Sequence, residues 1–348
     1  MRVLVIGCGK QGSVIANTLL NWKINTAVCD NSKENLKKFK GRNKILIDVN
    51  DRKRFKNLLK NYDLLINALP SRYGKYILEC AIESKRNLVD ISFMQEDIYE
   101  FEEDIKHSGI FVIPDAGLAP GLSNLCAGNA CAKISPHTIK IYVGGIPKEE
   151  NPPLNLCVTF NPEDLLSEYK RYVKIKENGI LKTVPPLTGI EEIEFPMGKF
   201  ECFYTDGLRT LLHTLDIENM CEKTIRYKGH AEFIKNTPED ELLKIFNEYA
   251  NKEIEDMVLF RVIAKSEKEC IEYNMIDYYD RKEKLSAMSR TTGFTSAVIT
   301  KKIIEGKIKG KGIIPLEKIG EKEELFKEIL EELKKFDITI SQSILSIC

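Results

Sequence analysis

Residues 3–12 read VLVIGCGKQG, an apolar run of strand type followed by glycines at 7, 9 and 12 in the spacing G-x-G-x-x-G. No other feature constrains the fold as strongly. Such a stretch needs a buried strand, a tight turn and a helix that starts at once, with backbone standing where side chains otherwise would. A chain opening this way is expected to continue as alternating strands and helices, and it does. RVLVIG, NTAVCD, KILIDV, DLLINAL, NLVDIS and IFVIPD are six β-type runs within the first 115 residues, separated by amphipathic segments. They predict an α/β fold: a Rossmann-type, doubly wound parallel sheet with helices on both faces. Asn31 or Ser32 is placed to start one crossover helix, and Asp51 the helix of DRKRFKNLLKN.

After Pro120-Gly121 the pattern changes. TIKIYVGGIP, LNLCVTF, RYVKIK, ILKTV, KFECFYT, KTIRYKG, MVLFRVIAK and CIEYNMIDY read as strands, with hairpin turns at Asn178-Gly179 and Met197-Gly198. NPEDLLSEYK and TPEDELLKIFNEYA read as helices, the second capped by Thr237 with Pro238 at its first position. The expectation is an α+β substrate-binding and dimerisation domain over 123–285 with a mostly antiparallel sheet. Helices within 286–348 return to complete the first domain, residues 1–122.

In the context of a strand and a helix start, the glycines point to a dinucleotide. Gly7 permits the turn, Gly9 lets backbone approach a pyrophosphate, and Gly12 allows close packing, with the N–H groups of Lys10, Gln11 and Gly12 facing phosphate. Asp30 ends the second strand 18 residues beyond Gly12, where an acid binds the adenosine ribose hydroxyls. It can equally cap the following helix, and the two roles are compatible. A carboxylate there repels a 2′-phosphate, so NAD is expected over NADP, although Lys33 and Lys37 lie close by. Asp48, after the third strand, is a candidate neighbour of the adenine.

Ligands of open parallel sheets bind beyond the carboxyl ends of the strands. Asn67-Ala68-Leu69-Pro70 follow strand four there, as a loop passing the nicotinamide ribose. Asp90 and Ser92 follow strand five, and Asp115 follows strand six. Asp115 can hold a substrate ammonium or brace the Gly- and Pro-rich turn it opens. In the second domain Asp206, Arg209, Arg226 and His230 follow strands; an arginine fork suits a carboxylate, or a salt bridge.

Composition excludes other classes. Lys+Arg and Asp+Glu are 52 each, which gives no basic field for nucleic acid or an anionic membrane. No apolar run approaches the ~20 residues of a membrane span. The first residues enter a strand directly, so a cytoplasmic protein without a signal peptide is expected. The ten cysteines form no C-x-x-C pair, and the four histidines are dispersed. Reduced cysteines and no metal centre follow.

DAGLAPGLSN, IYVGGIPK with the NPPL that follows it, TDGLRTLL and TIRYKGHAE together resemble the saccharopine dehydrogenase-like superfamily, and within it most the NAD-dependent L-lysine 6-dehydrogenases. The resemblance runs from the glycine motif to about SRTTGFTSAV. It implies that Asp115 and Arg226 lie at the substrate and that Gly144-Gly145 line its pocket. His230 as a proton carrier, and Arg209 and Ser92 as substrate contacts, come from their positions alone. The implied reaction is oxidative deamination of the ε-amine of L-lysine to a semialdehyde that cyclises to a piperideine-6-carboxylate; the large sheet of the second domain suggests a homodimer. The alternatives are a saccharopine or carboxynorspermidine dehydrogenase acting on a secondary amine, and a non-catalytic NAD-sensing interaction protein.

Overall fold

The computed structural model describes residues 1–152 and 154–347; Pro153, within NPPL, and Cys348 lie outside the described residues. The chain forms two compact units, Met1–Leu122 with Ser289–Phe336, and Ser123–Met288 with Asp337–Cys348.

Unit 1 is built on strands β1 (Val3–Ile6), β2 (Thr26–Asp30), β3 (Lys44–Leu46), β4 (Leu64–Asn67), β5 (Asn87–Asp90) and β6 (Phe111–Ile113). A seventh, Gly312–Ile313, arrives from the far end of the chain and pairs parallel with β6. The spatial order is Gly312–Ile313, β6, β5, β4, β1, β2, β3, every pairing parallel. β1, β2 and β4 are buried throughout, as strands covered on both faces must be, which is why they read as unbroken apolar runs rather than alternations. Leu4, Ile6, Leu65, Leu88 and Val112 meet Phe55, Leu59, Ile77 and Leu78 of the crossover helices in one core. Each such side chain contributes about 1.5–3 kcal/mol by leaving water. Ser32, not Asn31, caps the helix Lys33–Lys37, accepting from Asn35 N–H at 3.2 Å, and Asp51 caps Arg52–Leu59.

The long helix Ala287–Ile304 and the helix Glu323–Lys334 carry the chain back into unit 1. Phe294 and Phe336 stack at 4.1 Å, and the buried Lys302 ammonium lies 3.1 Å from Glu305 and 3.0 Å from Glu328. Residues 337–348, expected with these helices, fall instead in unit 2, where Ser341–Ser346 pairs antiparallel with a strand there.

The unit 2 sheet contains β7 (Thr138–Pro147), β8 (Val173–Glu177), β9 (Ile180–Val184), β10 (Glu191–Phe195), β11 (Gly198–Tyr204), β12 (Asn219–Arg226), β13 (Asp256–Lys265) and β14 (Glu269–Tyr278). The main path is β10, β11, β12, β7, β13, β14, Ser341–Ser346; β7 and β12 run parallel and the other pairs antiparallel. Asn178-Gly179 turns β8 into β9 as expected.

Two local expectations fail for visible reasons. LNLCVTF is not a strand: Asn155 takes φ 47°, and Leu154, Leu156 and Val158 pack into a buried cluster with Leu165, Phe203 and Phe246. Thr237 does not cap the helix Glu239–Ala250; its hydroxyl turns back to Phe233 O at 2.8 Å and closes the preceding helix. Asp256 is fully buried and accepts the N–H groups of Ala287 and Met288 at 2.7 and 3.0 Å, fixing the start of Ala287–Ile304.

Candidate active site

In unit 1 the glycine turn is built by contact. Gly7 has φ 94°, and a Cβ on it would stand 2.8 Å from Ala68 O. A Cβ on Gly12 would lie 2.1 Å from Gly7 O and 3.2 Å from Ala68 Cβ. The small side chain of Ala68 therefore serves the packing of the turn itself. Gly9 differs: within 4 Å of where its Cβ would be there is nothing. It precedes the helix Lys10–Asn21, whose first turn carries no acidic residue and whose start no side chain caps. Open space before a helix N-terminus of positive potential fits a pyrophosphate, so these residues fit a dinucleotide.

Asp30 reaches this turn directly. Its Oδ2 accepts the Cys8 N–H at 2.7 Å, its Oδ1 accepts Ser32 N–H at 2.8 Å, and Asn35 Nδ2 approaches both oxygens at 3.3 and 3.4 Å. The acid thus braces the glycine turn and the next helix together. Asp48 is exposed and accepts Asn50 N–H at 2.9 Å within a turn.

Along the same carboxyl edge, Asn67 is fully buried and spends its amide within the protein, donating to Asp90 Oδ1 at 3.1 Å and accepting from Leu69 N–H at 3.2 Å. Pro70 leads into the short turn Ser71–Tyr73. Asp90 Oδ1 also accepts Ser92 N–H at 2.7 Å. Burial, reinforced by the charge of Asp115, pushes the Asp90 carboxyl up to about 6. Asp115 is buried with φ 54°, a conformation that Asp tolerates better than most residues. Ala116 N–H donates to Asp90 O at 2.7 Å, and the loop beyond closes on itself through Leu122 N–H to Gly117 O at 3.0 Å.

In unit 2 a buried polar network gathers on β12. Arg226 Nε donates to Tyr169 OH at 3.1 Å, its Nη1 to Ile225 O at 2.9 Å, and its Nη2 lies 3.5 Å from Glu168 Oε1. His230 is 3 % exposed, with Nε2 2.9 Å from Tyr169 OH and Nδ1 3.0 Å from Leu154 O. Burial and the Arg226 charge push its pKa down to about 3, so the ring is neutral. Arg171 Nε stands 3.9 Å from Asp206 Oδ2. Burial lowers the Arg171 pKa, Glu168 and Asp206 oppose that, and the half-buried Arg209 adds to it. Arg209, Arg226 and His230 thus belong to one charged neighbourhood with Glu168, Tyr169 and Arg171. Gly144 and Gly145 lie on β7; a Cβ on the first would meet Ile225 O at 2.4 Å, and on the second Met288 Cε at 2.7 Å.

Sequence reasoning missed Glu168, Tyr169 and Arg171, and gave Asp90 no role. One signal was available: CEKTIR puts Glu222, Lys223, Thr224 and Arg226 in a strand that is almost wholly buried, and buried charges need partners nearby. Among the described residues no group of three or more His, Cys, Asp or Glu is placed to hold a metal ion, and no helix is long and apolar enough to cross a membrane.

Comparison with known proteins agrees in both units. Residues 3–113 match the family model of the saccharopine dehydrogenase NADP binding domain, and residues 117–248 and 236–338 that of the saccharopine dehydrogenase C-terminal domain. The chain is 26% identical over 261 residues to saccharopine dehydrogenase [NADP(+), L-glutamate-forming] of Saccharomyces cerevisiae, covering 70% of this chain and 58% of that protein. It is 27% identical over 253 residues to the mitochondrial alpha-aminoadipic semialdehyde synthase of Bos taurus, covering 66% and 27%. The chain spans about half the length of the fungal relatives it matches. The solved structure of apo saccharopine dehydrogenase (L-Glu forming) from Saccharomyces cerevisiae superposes with a TM-score of 0.78 at 20% identity, covering 99% of each chain.

Proposed function

This chain belongs to the saccharopine dehydrogenase family, and we propose that it is a nicotinamide-dependent oxidoreductase acting on the ε-amine of L-lysine, giving the semialdehyde that cyclises to a piperideine-6-carboxylate. The observation that carries the reading is Asp115: a buried carboxylate two residues beyond β6, on the carboxyl edge of the sheet whose first strand enters the glycine turn. Such a group suits an ammonium and the iminium cation that replaces it.

When bound, the dinucleotide supplies the hydride acceptor. The chain's residues do the rest. Gly9 and the helix start at Lys10 receive the phosphates, with Gln11 and Gly12 in the same turn. Asp115 orients the amine and favours its conversion to a cation. Within unit 2, Arg226 and Arg209 offer guanidinium groups suited to a carboxylate, with Gly144 and Gly145 on the neighbouring strand β7; within unit 1, Ser92 lies beside Asp90 on the carboxyl edge. A lysine ammonium, with pKa about 10.4, must lose a proton before hydride can leave, so oxidation speeds up at alkaline pH.

Asp30 supports NAD, because a buried acid at the end of β2 repels a 2′-phosphate. The matched domain and the fungal relatives carry NADP in their descriptions, which makes NADP the competing cofactor. The same relatives favour a second reading, in which the substrate is saccharopine, a secondary amine.

The deciding experiment follows reduced dinucleotide at its absorbance with lysine and with saccharopine, each with NAD and NADP, from pH 7 to 10. Turnover of lysine with NAD supports the proposal. Silence with lysine and turnover of saccharopine replaces the substrate while leaving the reaction class. Light scattering of the purified chain tests the expected homodimer.

A further inference from the structure

An amine gives up hydride only as the free base, so a protonated substrate must first lose a proton to some group. His230 is unsuited to receive it, because both ring nitrogens are engaged inside unit 2 and the ring stays unprotonated down to a pH of about 3. The carboxyl edge of the unit 1 sheet holds a different group.

Asp90 ends β5, and its Oδ1 is fixed by Ser92 N–H at 2.7 Å and by Asn67 Nδ2 at 3.1 Å from the end of β4. On the other side β6 runs into Asp115, whose neighbour Ala116 donates its N–H to Asp90 O at 2.7 Å. Two carboxyl groups, each 6 % exposed, therefore stand at the ends of adjacent strands. The Ser92 hydroxyl is buried and has no aligned hydrogen-bond partner among the described residues, yet it lies close enough to favour a charged Asp90. A buried hydroxyl beside the Asp90 carboxyl, with no aligned bond of its own, can turn to a further polar group. The charged residue acting on Asp90 from the neighbouring strand is Asp115, while Asn67 and Ser92 contribute neutral donors. Burial first, and the like charge of Asp115 after it, disfavour an ionised Asp90, so its carboxyl keeps a proton into the range where enzymes exchange protons.

Resting on the reading of this chain as an amine oxidoreductase, we propose that Asp90 is the proton-holding residue of the unit 1 site, receiving by way of Asp115 the proton an amine substrate sheds before its hydride leaves. The N–H bond breaks, an O–H bond forms on the carboxyl pair, and the electron pair stays on nitrogen. That pair forms the C=N bond of an iminium as hydride departs to the nicotinamide dinucleotide; the amine is oxidised and the dinucleotide reduced. The proton then passes from Asp90 to solvent. Asp90 acts through Asp115 and is a positioning residue in this sense.

The test uses the full chain with the amine that the wild type oxidises. Wild-type kcat/KM is expected to fall as pH drops through about 6. Asp90→Asn keeps an oxygen to accept the Ser92 N–H but cannot hold the proton. It should lose that inflection and about 100-fold in kcat, and added formate should restore part of the rate. An inflection that persists in Asp90→Asn, or a kcat loss that formate does not touch and that parallels a fall in Tm, overturns the proposal. Carbon-13 NMR of the carboxyl groups reads the pair without turnover: Asp90 should titrate near pH 6 and move down in Asp115→Asn. A wild-type midpoint below about 4.5 also overturns it. A wild-type chain inert toward every amine would instead remove the functional reading, and the carboxyl titration tells the two failures apart.

Discussion

The Asp30 carboxylate accepts the Cys8 N–H at 2.7 Å, so the acid closing the second strand is bonded into the glycine turn that follows the first. The proposed discrimination between dinucleotides and the geometry of the loop therefore meet in one side chain. Asp30→Ala should lower Tm by about 5 °C, because a buried N–H is left without an acceptor at a cost of about 1–3 kcal/mol. It should also raise the ratio of NADP to NAD affinity at least about 10-fold, read by titration calorimetry with both dinucleotides. An unchanged ratio would remove Asp30 from ribose recognition.

Gly9 and Gly12 should respond in opposite ways to the same added methyl. At Gly9 the space is open, so Gly9→Ala should leave Tm within about 1 °C while weakening dinucleotide binding about 10-fold or more. At Gly12 the Cβ would stand 2.1 Å from Gly7 O, so Gly12→Ala should lose more than about 3 kcal/mol of stability along with binding. Thermal denaturation and fluorescence titration on both variants separate ligand space from packing space.

His230 should shape stability rather than the pH profile of turnover. Its folded pKa lies near 3 against 6.5 in the unfolded chain, so its contribution is complete above about 6.5 and is lost as pH falls toward 3. The slope is about 1.4 kcal/mol per pH unit in that window. Urea unfolding of His230→Phe between pH 4 and 7 should show a flatter pH dependence than the parent. A slope equal to the parent's would mean that the ring is already charged in the folded protein.

Asp256 runs the other way. Burial pushes its carboxyl up to about 6, so the folded chain holds its proton more tightly than the unfolded one. The stabilisation this gives is full below about 3.8 and gone above about 6. Between pH 3.5 and pH 7 the stability difference between Asp256→Asn and the parent should move in favour of the variant by about 3 kcal/mol. Asp256→Ala, which takes both acceptors from Ala287 and Met288, should show the same pH dependence and lie about 1–2 kcal/mol below Asp256→Asn at both pH values. Chemical denaturation at the two pH values checks both.

Unit 1 was legible because its order comes from short-range rules. The three glycines, the unbroken apolar strands and the caps at Ser32 and Asp51 each state their own geometry. Unit 2 was less so. LNLCVTF has the composition of a strand, yet tertiary packing around Phe203 and Phe246 turns it into a buried irregular segment. Thr237-Pro238 offers a helix start, and the hydroxyl is taken by the helix before it. Glu168 and Tyr169 meet Arg226, and Tyr169 also meets His230, from more than 50 positions away, through a fold that no spacing rule encodes. Asp90 was visible as a strand end, but its state depends on its burial and then on Asp115, more than 20 positions further along the chain.

The seventh strand of the first sheet, Gly312–Ile313, has a consequence for biogenesis. β6 leaves the ribosome with one edge unsatisfied and stays so while all of Ser123–Met288 is synthesised, because its partner is encoded in the last tenth or so of the chain. Throughout that interval the nascent protein presents a bare strand border to chaperones and to other copies of itself. Yield in cells should therefore depend on translation speed across the middle of the message as much as on the stability of the finished fold.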